Sequence, residues 1–174
     1  MSPRSDCSWF VRAHVRARLG GNVEGARKDV RRIVQLNPGY VLGMEASGIT
    51  ELVAENWSAA LGFLAEAVER SVDDPFLPYR LYPLAIAQAM AGDSQSALAA
   101  ITEATELRPD CRHYWLVKAW IQREAGREPE AQEAREVAAN LVERADILAQ
   151  DLGLSLGLRD RIGLPVQPFQ PEVQ

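Results

Sequence analysis

The chain has 174 residues, 47% of them apolar and 25% charged, with a formal net charge of −5 at pH 7. That is the profile of a globular protein large enough for one sizeable core. The acidic balance argues against nucleic acid as the main partner, and no apolar run approaches the roughly 20 residues needed to cross a bilayer. Two cysteines, Cys7 and Cys111, are too few for a disulfide scaffold. The opening residues contain no apolar leader segment, so the cytoplasm is the expected compartment.

The charge is uneven along the chain. Residues 1–32 carry Arg4, Arg12, Arg16, Arg18, Arg27, Lys28, Arg31 and Arg32 against Asp6, Glu24 and Asp29. Two readings fit: a solvated basic face, or a docking patch for an acidic partner. The same region opens a repeat. "GNVEGARKDVRRIVQLNP" (Gly21–Pro38) and "GDSQSALAAITEATELRP" (Gly92–Pro109) share Gly, Ala, Leu and Pro at equivalent places. The shared alanine recurs as Ala26, Ala60, Ala97 and Ala131, at spacings of 34, 37 and 34. Five residues before it stand Gly21, Glu55, Gly92 and Gly126. Twelve before stand His14, Gly48, Ala85 and Ala119, and seven after stand Ile33, Ala67, Ala104 and Ala138. Small residues at fixed intervals mark places where helices cross closely.

The segments between the markers have helical periodicity. Val23, Ala26, Val30, Ile33 and Val34 form one apolar face, as do Ala60, Leu61, Leu64, Ala67 and Val68, and again Ala97, Leu98, Ile101 and Ala104. Glycine before a helix supplies the left-handed end of the previous one, and Asn22 or Asp93 then caps the next. Pro38 and Pro109 stop the second helix of their pairs. Asp74 before Pro75 reads as an N-cap with proline in the first helical position. No stretch alternates with period two. The expected fold is all-α, an α-solenoid of about four antiparallel helix pairs, at about residues 7–40, 41–74, 78–111 and 112–152.

The last helix is expected to run from Pro129 to about Leu152. Ala131, Ala134, Ala138, Leu141, Ala145, Leu148 and Leu152 step alternately by three and four, a seam of about three heptads. Its excess length either caps the open end of the solenoid or meets a second copy through Leu141, Leu148 and Leu152, making a homodimer. Residues 153–174 then form a capping segment and an extended tail, in which Pro165, Pro168 and Pro171 recur every third residue.

A helix–turn–helix repeat of about 34 residues with these small positions resembles the tetratricopeptide repeat. Aligned on the marker alanines, the repeat's large fourth position falls on Phe10, Met44, Leu81 and Trp115. His14, Ile33, Val72 and Glu143 depart from the pattern. The resemblance implies that the first helix of each pair lines a concave groove. It places Val11, Val15 and Arg18 there from the first pair, and Glu45, Ile49 and Leu52 from the second. Tyr79, Tyr82 and Ile86 come from the third, and His113, Leu116, Trp120 and Arg123 from the fourth. Val11 and Val15 stand where repeats that clamp an acidic C-terminus carry Lys and Asn, so an apolar or extended peptide is the expected ligand. Residues 73–165 are also similar to the tetratricopeptide region of bacterial class III adenylate cyclase-like proteins. The likeness lies in Asp74-Pro75, Gly157-Leu158-Arg159 and Gly163-Leu164-Pro165.

Catalytic patterns are weak. "GLSLG" around Ser155 matches a nucleophile elbow, but that elbow needs a preceding strand. Cys111 and His113 do not make a metal site by themselves, and no phosphate-binding or dinucleotide loop appears. The expected function is a non-catalytic protein-interaction module or scaffold, without cofactor or metal. It binds a protein or peptide segment, not nucleic acid, and does not insert into a membrane. The alternatives are a regulatory module for a nucleotide cyclase or other signalling enzyme, and a hydrolase using Ser155.

Overall fold

The structure, a computed structural model, describes residues 6–18, 22–141 and 156–163. Among these residues every regular element is a helix. The helices are α1 (Asp6–Arg18), α2 (Val23–Leu36), α3 (Val41–Val53), α4 (Trp57–Glu69), α5 (Leu77–Met90), α6 (Ser94–Leu107), α7 (Arg112–Glu124), α8 (Glu128–Asn140) and α9 (Leu156–Ile162). Consecutive helices pack as the pairs α1/α2, α3/α4, α5/α6 and α7/α8, and each pair packs on the next. The odd-numbered helices also touch one another in the series α1, α3, α5, α7, whereas the even-numbered ones do not. The odd helices therefore form the inner, concave layer of an α-solenoid and the even ones the outer layer. No helix is long and apolar enough to cross a membrane among the described residues.

The local signals behave as the sequence predicts. Asn22 accepts from the Gly25 amide (2.8 Å) and Asp93 from the Ser96 amide (3.0 Å), each satisfying an orphan donor at a helix start. Gly92 and Gly126 take positive φ (88° and 74°) between paired helices. Glu55 occupies the equivalent place at φ 57°, a region where a Cβ costs about 1–2 kcal/mol. Ala26, Ala60, Ala97 and Ala131 are all fully buried. α3 and α4 cross closely. A Cβ on Gly48 would lie 2.5 Å from Leu64 Cγ and 3.2 Å from the Leu64 backbone nitrogen. The bulky Ile33, where the repeat prefers a small residue, fits because Gly43 faces it. A Cβ on Gly43 would lie 2.8 Å from Ile33 Cγ2.

Three features add to the sequence pattern or depart from it. α5 begins at Leu77, with Pro78 in its first turn. Asp74 instead closes a turn just ahead of the helix, Oδ1 accepting from the Phe76 amide at 2.8 Å. α5 also contains the buried Pro83, which cannot donate to the preceding turn. Finally, α8 ends at Asn140, and Leu141 turns to extended backbone (φ −87°, ψ 131°). The only described helix that α8 packs against is α7, which has 13 residues. Asn140 has low helical preference and turns its amide onto the Glu136 carbonyl (2.9 Å). Leu141 is half-buried. Leu148, Leu152 and Ser155, with the rest of the heptad seam, lie outside the described residues, as does the proline-containing tail.

α9 packs on the inner helix α7. Leu158 and Ile162 join the apolar core that includes Tyr82, Ile86, Tyr114 and Trp120. Arg123 donates to the Arg161 carbonyl (2.8 Å), and Arg161 pairs with Glu124. Gly163 ends α9 at φ 79°.

Gly48→Val is expected to lower stability by at least about 2 kcal/mol, because Leu64 and its backbone must move. Gly62→Ala, on an exposed helical face with open space around it, is expected to raise stability by about 0.5–1 kcal/mol. Urea unfolding measures both. Equal midpoints for the two variants would mean that α3 and α4 do not cross closely.

Candidate protein-binding groove

On the inner layer, the first three odd helices enclose a cavity of about 850 Å³. Its lining comes from Phe10 and His14 on α1, Asn37, Gly39 and Tyr40 in the α2–α3 turn, and Val41, Leu42 and Glu45 on α3. Asp74 and Phe76 from the α4–α5 turn and Tyr79 and Arg80 on α5 complete it. Four aromatic rings wall it and charged groups sit at its floor. Phe76 is 61% exposed, and its ring tilts against Tyr79 with centroids 5.9 Å apart.

The floor is an ion network spanning three helix pairs. Arg80, buried, donates from Nε to Glu45 Oε2 (3.0 Å) and from Nη1 to Asp74 Oδ2 (2.8 Å). The other oxygen of Glu45 lies 3.7 Å from Nε2 of His14, whose ring sits 4.2 Å from that of Phe10. His14 replaces a small residue of the repeat pattern and sets its ring against Glu45 and Phe10. The Phe76 amide, followed by Arg80, holds the Asp74 carboxyl below the ordinary carboxylate range. Tyr79 is fixed from outside the cavity: Arg108 donates to its hydroxyl (2.8 Å) and also pairs with Asp110 (3.1 Å).

The structure separates the groove residues expected from sequence. Glu45 and Tyr79 line the cavity. Val11 and Val15 are about half exposed, at 52% and 49%, on α1 outside the cavity. Leu116 is partly buried against the core. Arg123 is exposed and engaged with α9. The Arg18 side chain lies outside the described residues. Ile49, Leu52, Tyr82, Ile86, His113 and Trp120 are buried. The inner helices approach closely enough to use these side chains for packing. Tyr82, for example, packs its ring 5.2 Å from that of Tyr114. Trp120, 2% exposed, is covered by α9, with the Arg161 guanidinium 5.9 Å from its ring.

Sequence reasoning missed Phe10, Tyr40, Asp74, Phe76 and Arg80 as cavity residues. A signal existed for two of them. Tyr40 and Phe76 are the residues immediately before α3 and α5, so an aromatic stands at the mouth of two successive inner helices.

Other candidates resolve differently. Of the N-terminal basic residues, Arg12 and Arg16 both pair with the buried Asp29 (2.6 and 2.8 Å), and Arg27 pairs with Glu51 (2.7 Å) and Glu24 (2.8 Å). Those charges hold α1, α2 and α3 together. Burial pushes the Cys111 thiol up to about 11, the opposite of an activated thiolate. Among the described residues no group of three or more His, Cys, Asp or Glu is placed to hold a metal ion.

No protein-family model matches this chain, and no curated protein does. Solved structures do. The fold is that of MamA. A MamA fragment from Desulfovibrio magneticus RS-1, starting at its residue 41, superposes with a TM-score of 0.69 at 18% identity, over 79% of this chain and 75% of that one. A second MamA crystal structure gives 0.64 at 22% identity over 85% and 86%. A third gives 0.65 at 21% over 91% and 84%. At such identities the likeness to MamA is one of fold.

Arg80→Leu is expected to destabilise the protein by about 3–5 kcal/mol, since it strands Glu45 in the interior. Arg80→Leu/Glu45→Leu should lose less than Arg80→Leu alone, because no uncompensated charge remains. Denaturant unfolding of the two variants tests this, and a double variant weaker than the single one would contradict it. Asp74, with its depressed folded value, contributes stability that is present above the ordinary carboxylate range. That stability is lost as pH falls through the lowered folded value, below about pH 4. Asp74→Asn should therefore be less stable near neutrality yet show a shallower acid limb when melting is followed against pH.

Proposed function

We propose that this chain is a non-catalytic scaffold that binds an extended segment of a protein partner on its inner face. The binding centre of this reading is the cavity between α1, α3 and α5. The observation that carries it is the composition of that cavity. Aromatic and aliphatic walls with a few convergent polar groups are what ligand sites use, and exposed aromatics contribute interface energy out of proportion to their number. The fold supports the reading, because stacked helix pairs present an extended concave surface. The groove is shorter than the repeat positions alone imply. Its fourth-pair end is covered by α9, so the partner runs across the first three pairs. Control of a nucleotide cyclase draws no support from the residues that carry that likeness. Gly157-Leu158-Arg159 belongs to α9 and Gly163 ends it, roles that seal the inner face of α7.

Photo-crosslinking tests the proposal in cells of origin. A benzophenone amino acid placed at Phe76 or Leu42 is expected to trap one common partner, and the same group at Gln132, exposed on the outer helix α8, to trap none. Equal adducts from Gln132, or none from the two groove positions, would exclude the inner face as the binding surface.

A further inference from the structure

We infer that the cavity selects a cationic side chain, arginine above all, from the segment lying in the groove. This rests on the groove reading above and specifies its ligand. The floor holds two carboxylates, Glu45 and Asp74, against the single guanidinium of Arg80. The neighbouring cations do not correct the imbalance. Arg108, behind Tyr79, pairs with Asp110, and Arg70, beside Gly39, pairs with Glu66 (2.8 Å). Among the described lining residues, His14 aside, the carboxylates of Glu45 and Asp74 exceed the guanidinium of Arg80 by one negative charge. Glu45, nearly buried, holds its share of that charge where interactions are less screened than at an open surface, and Asp74 stands at the more exposed edge.

The walls point to the same ligand. Phe10, Tyr40, Phe76 and Tyr79 present aromatic rings around the acidic floor. An aromatic face attracts a cation, and a planar guanidinium both stacks on rings and donates to carboxylates in a fork. The protein already makes this pairing outside the cavity, where the Arg108 guanidinium lies 5.6 Å from the Tyr79 ring centroid. A volume of about 850 Å³ exceeds one side chain, so apolar neighbours of the arginine rest against Val41 and Leu42. An acidic ligand is disfavoured on the same grounds, because its charge would meet Glu45 and Asp74 with Arg80 already committed to both.

The test uses the full chain, immobilised at about pH 8, where histidine is ordinarily neutral. Pools of short acetylated and amidated peptides are offered, with apolar residues and serine mixed at the flanking positions. The central residue is fixed as arginine, norleucine or glutamate. The arginine pool is expected to be retained about tenfold better than the norleucine pool, and the glutamate pool least. Added salt should shrink the arginine preference. Phe76→Ala, at an exposed position, should cut arginine retention about threefold and norleucine retention by less. Asp74→Asn should also reduce the preference. Circular dichroism confirms that both variants are folded. Equal retention of the arginine and norleucine pools, or a preference that both variants keep, overturns the inference and leaves the groove reading intact. A failure to retain any pool overturns both.

Discussion

Two helices can lie close together only where one of them offers no bulk at the crossing. In this chain that condition is met at Gly48 against Leu64 and at the buried alanines of each second helix. Everything larger follows from it. The crossing sets how each pair nests, the nesting sets how one pair stacks on the next, and the stacking brings the inner helices into contact while the outer ones stay apart. The resulting curvature gathers residues from α1, α3 and α5 around one cavity. Bulk added at a crossing therefore acts on the groove without touching it.

Charge supplies the second level of order. Arg80 and Glu45 are 35 residues apart in sequence, yet they meet in the interior and join the second helix pair to the third. His14 extends the contact to the first pair. A buried ion pair is costly to desolvate and adds little net stability over a well-packed apolar substitute. It does penalise any arrangement in which the partners miss each other. Here it holds three inner helices in one register, and that register defines the cavity floor. Asp29, gripped by Arg12 and Arg16, does the same within the first pair.

The repeat architecture was legible because its signals are local. A cap, a left-handed turn and a small crossing residue each depend on a few neighbouring positions, so a period of alanines and glycines announces them. The departure at Ile33 had no counterpart in the sequence pattern; the structure supplies one in the Gly43 that faces it. The site was less legible, for two reasons. Which inner-helix residues remain accessible depends on how tightly successive pairs close, and this property of the whole stack put Ile49, Tyr82, Ile86 and Trp120 into the core. The cavity also draws on the turns before α3 and α5 and on an ion pair of long sequence separation, neither of which has a place in a helix-face pattern. The break after Asn140 was hidden for the opposite reason. The heptad spacing is consistent with a continuous helix, but α8 has only α7 to pack against among the described helices.

Among the described residues the large apolar cluster runs from Ile49 to Ile162 and includes none of α1 or α2. The first pair meets the second through the Arg27–Glu51 ion pair and the His14–Glu45 contact as well as through Ile33 against Gly43, whereas the later pairs share one apolar cluster. Ionic strength acts oppositely on these two kinds of joint, screening the first and leaving the second intact or stronger. The cavity straddles the boundary, with Phe10 and His14 on one side and Tyr79 and Arg80 on the other. Salt that screens Arg27–Glu51 therefore bears more on the α1 wall of the cavity than on the α5 wall.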